Sequence, residues 1–537
     1  MASLAHPVIG QVVGKESCDI TQFLGIKYGR LKDRFAEAQL VSYSGKGLDA
    51  TKYGPQVVSP PDGVDLELGF IQATLPKAEF PGTSDTEGLH LNISVPKQVE
   101  SITGKEAFPV LVFIHGGGFA IGGNWWPQYN TAKLVKLSQE VGKPIIAVNI
   151  NYRIGAPGFL TSAELRAAGY KPNNGLRDQR VALSWIKDYI KGFGGDPDNV
   201  TVAGESAGGV STGYLLLDEK PVSRRLIFLG GTPPLMGQLP LPVADDVAQG
   251  VLATLGHAGI ASEDVTKTLL SAPIEDFWTR IPPGFPIFPV IDGDIIPKEV
   301  TLASLADQSP SIFPGAKHVE SILLVNSKLD ASIMAYSGLL RRKKGIAAAF
   351  RTSLTKTLDG YPAATTAILE HYHLSENSTA DQNDDEALRN VLLYINDVVF
   401  SVPAVELAAH FPQKSYFLAF NERNPWDGLF KGDASHILDI AFLFQNFNDQ
   451  LSPEQQKAAV QFGTDVISFV SGDEVWPAFN KTKHAMAVYE KGVRKIVEPP
   501  SEEETSRNPF VFIITAGSNV PSKDLLYKAF GDFMAAH

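Results

Sequence analysis

A chain of 537 residues with a net charge of −12, 44% hydrophobic and 20% charged, has an ordinary globular composition. The acidic balance argues against nucleic acid and anionic membranes as partners, because both need a basic patch. The single cysteine, Cys18, excludes an intramolecular disulfide and favours a reducing compartment. Cytoplasmic location is therefore expected, and the start Met-Ala-Ser-Leu-Ala-His-Pro, without a basic or an apolar region, does not read as a signal peptide. No apolar run approaches the ~20 residues of a membrane span. Asn92, Asn199, Asn377 and Asn480 lie in N-x-S/T sequons, which in such a compartment are chance matches.

In chain order, short β-branched apolar runs recur at 109–115, 144–151, 200–204, 225–229, 322–326, 416–421 and 510–515. Continuous apolar runs of this kind suit strands buried on both faces of a mostly parallel sheet. Helical patterns fall between them: 178–190 is amphipathic, with Val181, Leu183, Trp185 and Ile186 among its apolar positions, and 207–217 follows a strand directly. The alternation implies an α/β fold, a large mostly parallel central sheet with helices on both faces. Length alone suggests three or four domains. No Ser/Gly-rich linker divides the chain, however, so one domain over 1–537 is expected, with helical insertions at roughly 235–285 and 330–410. Arg341-Arg342-Lys343-Lys344 reads as a solvated face, and 375–386 as a polar surface loop.

Two glycine-rich stretches carry chemistry. Val200-Thr-Val-Ala-Gly204-Glu-Ser206-Ala-Gly208-Gly209 is a strand, then G-x-S-x-G, then a helix, the nucleophile elbow of an α/β-hydrolase. A side chain at 204 or 208 would collide with the neighbouring elements, so glycine is needed there. The turn lifts Ser206, the expected nucleophile, to the helix N-terminus, where the N–H of Ala207 is placed for an oxyanion. Glu205 reads equally as a group that orders the site or polarises a water and as a satisfied buried carboxylate. Upstream, the 109–114 strand runs into His115-Gly116-Gly117-Gly118-Phe119, an H-G-G-G oxyanion loop in which Gly117 and Gly118 offer backbone donors. A dinucleotide loop would need glycine at 121, which is Ile121. His115 is expected to brace the loop rather than act as base.

With these stretches the chain resembles the type-B carboxylesterase family, which includes the cholinesterases and many fungal esterases. Phe23-Leu-Gly-Ile-Lys-Tyr28 with Arg34-Phe35, Leu89-His-Leu-Asn-Ile93, Asn151-Tyr-Arg-Ile-Gly155, Asn174-Gly-Leu-Arg-Asp-Gln179 and Phe193-Gly-Gly-Asp-Pro197 are similar to family blocks in the expected order. The departures are specific. Gly88 and Val57 stand where secreted members have an early cysteine pair. Gly230-Gly231 replaces Ser-Gly after the strand that follows the elbow, which removes a hydroxyl near the catalytic acid.

A serine nucleophile needs a base, and a carboxylate to orient that base. Of the eleven histidines, six lie well downstream: His371, His373, His410, His436, His484 and His537. The first three fall in helical patterns and His484 reads as a surface helix position. His436, in Gly432-Asp-Ala-Ser-His436-Ile-Leu-Asp439, resembles the family's catalytic-histidine segment. The stretch 322–331 is similar to the family's strand–N-K-D-E-G block, which puts Asp330 in the place of the usual glutamate and Ala331 in that of glycine. Asp292 and Asp294 are rivals that look like a structural turn. The resemblance implies a serine ester hydrolase acting on a small-molecule ester without metal or cofactor. Alternatives are an acyltransferase or lactone-forming enzyme on the same triad, and a non-catalytic binding protein of cholinesterase type. Candidate substrate contacts are Phe119, Trp126, Glu205, Phe285 and Phe288, with Trp125, Tyr129 and Trp278 as further aromatics for an apolar gorge.

Overall fold

The computed structural model describes residues 1–17, 19–97, 107–220, 223–282, 284–498 and 520–536. The strand expected at 510–515, Cys18 and His537 lie outside these residues. One sheet takes strands from almost the whole length: β1 (Ala2–His6), β2 (Gly10–Ser17), β3 (Ile20–Lys27), β4 (His90–Pro96), β5 (Phe108–Ile114), β6 (Ile146–Ile150), β7 (Gly195–Glu205), β8 (Arg225–Leu229), β9 (Ser321–Ser327), β10 (Lys414–Phe420), β11 (Met486–Glu490) and β12 (Val493–Val497). Their spatial order is β1-β2-β3-β4-β6-β5-β7-β8-β9-β10-β11-β12. From β6 to β11 neighbours are parallel. The strands at both edges are antiparallel.

The parallel centre is where the apolar runs lie. Every residue of β6, β8 and β9 is buried, as expected of strands covered by helices on both faces. β1 and β2 mix buried, half-buried and exposed positions and lack a continuous apolar run, so that criterion passes over them. The helices used below are α1 (Gly63–Ile71), α2 (Asn174–Tyr189), α3 (Ala207–Tyr214), α4 (Asp384–Ile395), α5 (Val402–His410) and α6 (Lys523–Ala535).

Between β8 and β9 the chain forms helices at Leu241–Thr254 and Ser262–Ser271, and between β9 and β10 it stays helical from Ser332 to His410 with short breaks. Three local expectations need correction. The 375–386 stretch is not all loop: it holds a 3-10 turn at Thr379–Gln382, and Asn383 caps α4 by accepting from the N–H groups of Asp385 and Glu386. His484 sits in an irregular segment before β11, stacked on Phe479, not on a helix. Finally, the helical run Asp384–His410 is by length and composition apolar enough to cross a membrane, but 83% of its most apolar window is buried inside the fold.

Candidate active site

β7 ends at Glu205 and α3 begins at Ala207, so Ser206 alone makes the turn, at φ 52° and ψ −120°. A non-glycine residue is rare in that region, and the surrounding structure has to hold it there. Two features do so. The Ser206 N–H donates to the Leu229 carbonyl at 2.8 Å. The glycines permit near-contact of backbones: a Cβ at Gly204 would lie 2.0 Å from the Gly208 carbonyl oxygen, and one at Gly208 would lie 2.1 Å from that of Ile114. Either substitution would push the elbow off β5 or α3. Glu205 and Ala207 on each side are buried, while Ser206 itself keeps partial access to solvent.

The loop after β5 lies against this turn. A Cβ on Gly116 would meet a Glu205 carboxylate oxygen and, at 2.9 Å, the Ser206 Cβ. Gly117 (φ 89°) and Gly118 (φ 61°) both take the left-handed conformation. Among the described residues no hydrogen bond uses their N–H groups, and Ala207, first in α3, has no intrahelical acceptor for its own. The loop is fixed from behind. The Ala120 and Ile121 N–H groups donate to the Gly117 carbonyl, and Gly155 N–H donates to that of Phe119. His115 Nδ1 lies 3.1 Å from the Gly116 carbonyl oxygen, and its ring stacks on Tyr152 with centroids 4.6 Å apart. Burial lowers the His115 pKa to about 4, which keeps it neutral.

The residues expected as base and acid come from loops after β10 and β9. His436 Nδ1 lies 3.0 Å from Asp330 Oδ1, and both side chains are buried. The other carboxylate oxygen of Asp330 accepts the Ser327 N–H at 2.8 Å, and the His436 main-chain N–H donates to Ser332 Oγ at 2.8 Å. Leu329 and Ser435 form a single bridge that brings the two loops side by side. Gly230 and Gly231 join this pair to the elbow. A Cβ on Gly230 would sit 2.9 Å from Asp330 Oδ1 and 3.2 Å from the His436 ring, and one on Gly231 would sit 2.2 Å from the Ser206 carbonyl oxygen. Ser206, His436 and Asp330 are thus brought to one place. Asp292 and Asp294 are engaged elsewhere, with the Arg177 guanidinium at 3.2 and 2.7 Å. His410 Nδ1 is committed to the Glu406 carbonyl oxygen.

A cluster of buried carboxyls surrounds His436, and sequence pattern did not reveal most of it. Glu205 Oε1 lies 3.3 Å from His436 Nε2, and among the described residues neither Glu205 oxygen makes a hydrogen bond of ordinary geometry. Burial, then the nearby Glu67, Asp439 and Asp330, push the Glu205 pKa well above the usual carboxylate range. Burial also raises Asp439 to about 7 and Glu67 to about 7, the latter against the opposing effect of the neighbouring Tyr129 and Gln128. Gln128 Nε2 donates to Glu67 Oε1 at 2.9 Å.

These raised values link stability to pH. The folded chain holds the Glu67 and Asp439 protons from their ordinary values of 4.5 and 3.8 up to about 7, where the unfolded chain has released them. The associated stability is fully present below the ordinary values and is lost as pH rises through about 7. Glu67→Gln keeps the acceptor for Gln128 and removes the proton. Its thermal midpoint is expected to vary less between roughly pH 5 and 8 than the parent's and to exceed it at the alkaline end. Superimposable midpoint curves for the two proteins would refute this.

The expected aromatic contacts divide. Phe119 packs on Phe159 at 4.5 Å and Trp126 stacks on Tyr129 at 6.1 Å. Both are closed to water, as is Tyr129, so they belong to the core and do not line an open gorge. Trp125 is buried too, with its indole N–H donated to Gln56 Oε1. Phe285 lies over Gly250, where a Cβ would come within 2.7 Å of it, and Phe285, Phe288 and Trp278 remain partly exposed. Among the described residues no group of His, Cys, Asp and Glu is arranged to hold a metal ion.

Elbow, backbone donors, histidine and buried aspartate on a mostly parallel sheet define an α/β-hydrolase. The chain belongs to the carboxylesterase family, whose family model matches residues 4–492. It is 34% identical over 302 residues to a secreted lipase of Arthroderma benhamiae, which is 53% of this chain and 51% of the lipase. It is 27% identical over 466 residues to the esterase cest-33 of Caenorhabditis elegans, 81% of this chain and 78% of that one. With the para-nitrobenzyl esterase of Bacillus subtilis it shares 36% identity over 220 residues, 40% of this chain and 41% of the esterase. The chain therefore spans about half the length of the Arthroderma lipase and less of the Bacillus esterase. Among solved structures, a PNB esterase matches with a TM-score of 0.70 at 24% identity, over 94% of this chain and 99% of that one. A Geobacillus stearothermophilus carboxylesterase matches with a TM-score of 0.71 at 24% identity and the same coverage. These structural likenesses concern the fold.

Proposed function

We propose that this protein is a serine carboxylic-ester hydrolase acting on small-molecule esters through Ser206, His436 and Asp330. The observation that carries the reading is the buried 3.0 Å contact between Asp330 and His436 beside a strained, solvent-reached Ser206. His436 Nε2 takes the Ser206 proton as the hydroxyl attacks the ester carbonyl, and Asp330 holds the imidazole in the tautomer that can do so. The tetrahedral oxyanion is received by the N–H groups of Gly117, Gly118 and Ala207, donors typically worth about 3 kcal/mol each in the transition state. His436 then protonates the departing alcohol, leaving an acyl-enzyme on Ser206. Water enters, gives its proton to His436 and releases the acid by the same steps. No metal or cofactor takes part. The single cysteine supports a reducing, cytoplasmic setting.

Turnover of p-nitrophenyl acetate, followed with and without an added alcohol, tests the reading. Free acid as the main product is expected, whereas an ester that dominates even at low alcohol concentration would make the protein an acyltransferase. No turnover of any acyl ester would leave a binding protein. A further expectation concerns the alcohol side. The oxyanion loop offers its donors from backbone alone, with no side chain at 116–118 to crowd the carbonyl, so esters of tertiary alcohols should react. If tertiary esters inhibit competitively and are never cleaved while primary ones turn over, that expectation is wrong.

A further inference from the structure

The helical run Asp384–His410 is interrupted by a π-turn at Asn396–Ser401, between α4 and α5. Proline follows it directly, at position 403, second in α5. Proline lacks an N–H and its ring crowds the carbonyl four residues back, here that of Val399, so a regular helix would be broken at this point. The wider turn accommodates the ring. Such turns are frequent at functional sites, and this one touches His436 and the residue that follows Asp330.

Asn396, 4% exposed, directs its side-chain oxygen at the Ala331 N–H at 3.2 Å, one residue beyond Asp330. Its amide nitrogen donates to Ser401 Oγ at 3.3 Å, which fixes the orientation of the group. Phe400, 3% exposed, sets its ring against His436, centroids 5.7 Å apart and planes at 63°. The turn is itself anchored. Tyr372 donates its hydroxyl to Asp397 at 2.7 Å, and Tyr394 in α4 donates to the Leu526 carbonyl of α6 at 3.0 Å. The segment 330–332 already holds His436 twice, through the Asp330 carboxylate and the Ser332 hydroxyl. Asn396 holds that segment, and the Phe400 ring packs edge-on against the imidazole itself. An aspartate reaches one methylene less far than a glutamate, so the separation of its loop from His436 has little slack.

We propose that this π-turn is the brace of the Asp330–His436 pair, with Asn396 and Phe400 as positioning residues for the ester-hydrolase reaction. The proposal rests on the triad assigned above. Loss of the brace lets the imidazole swing without altering where substrate binds. Small misplacements of a catalytic group cost up to roughly 100-fold in rate.

The test is a double-mutant cycle on the full chain with p-nitrophenyl acetate. Phe400→Leu and Asn396→Ala are each expected to lower kcat by roughly 10- to 100-fold with KM held within about twofold. Phe400→Tyr, which keeps the ring, should restore most of kcat. In a His436→Ala background the same two changes should have no further effect on the residual turnover, because the group they position is gone. An equal loss with and without His436, or wild-type kcat in both single variants, would overturn the proposal. Should Phe400→Leu not fold, the Asn396→Ala cycle decides alone, since it removes two side-chain hydrogen bonds and leaves the ring contact on His436 in place. His436→Ala with turnover intact would sink the triad and the brace together. A dead His436→Ala enzyme with indifferent Asn396 and Phe400 variants would sink the brace alone.

Discussion

Ser206→Ala is expected to lower ester turnover by a factor on the order of 10⁶, as removal of the nucleophile does in other triad enzymes. The fold should survive, because the elbow is held by the Leu229 carbonyl and by the glycines at 204 and 208, not by the serine hydroxyl. Alanine, like serine, must occupy φ 52°, so thermal stability is expected to change little. What remains should be the small acceleration that a backbone oxyanion site and binding supply without a nucleophile. Steady-state kinetics on p-nitrophenyl acetate measures this directly. Turnover within tenfold of the parent would exclude Ser206 as the attacking group.

Asp330→Asn is expected to lose about 10⁴-fold in kcat, equivalent to about 5 kcal/mol of transition-state stabilisation. Asparagine fits the same space but presents an amide where Oδ1 accepts from the His436 ring, so it favours the wrong tautomer. The Ser327 N–H, which donates to the second oxygen at 2.8 Å, can still be satisfied, and the protein should fold. Asp294→Asn is the paired control. That carboxylate serves Arg177, whose guanidinium holds its pKa below the ordinary value, so its neutralisation should alter stability and leave kcat within a few-fold. A dead Asp294→Asn enzyme beside an active Asp330→Asn enzyme would reverse the assignment of the acid.

The parts of the site visible in the sequence are those made by neighbours in the chain. G-x-S-x-G is one turn, and the steric reason for its glycines is local. The H-G-G-G loop is equally local, and the parallel strands announce themselves because burial on both faces demands unbroken apolar runs. The acid–base pair is different: Asp330 and His436 are 106 positions apart, and only family resemblance linked them. The carboxyl cluster was harder still. In α1 the pattern Leu66-Glu67 suggests leucine inside and glutamate outside, yet Leu66 is 49% exposed and Glu67 1%. Gln128, from a distant turn, supplies the polar partner that makes the inversion tolerable, and no local pattern records it. Trp126 misled for a related reason: an aromatic just beyond a catalytic loop suits a gorge wall, but its ring is taken up by Tyr129 and the core beside α1.

Ester hydrolysis at this site requires that an acyl group be carried on Ser206. Mixing the enzyme with a slowly deacylating aryl ester, quenching in acid and mapping the peptides by mass spectrometry tests it most directly. One acyl group per chain is expected, on the peptide containing Gly204-Glu-Ser206-Ala-Gly208, forming in a burst with the first equivalent of phenol. An acyl group on any other residue, or full turnover with no covalent species at any time, would contradict the account.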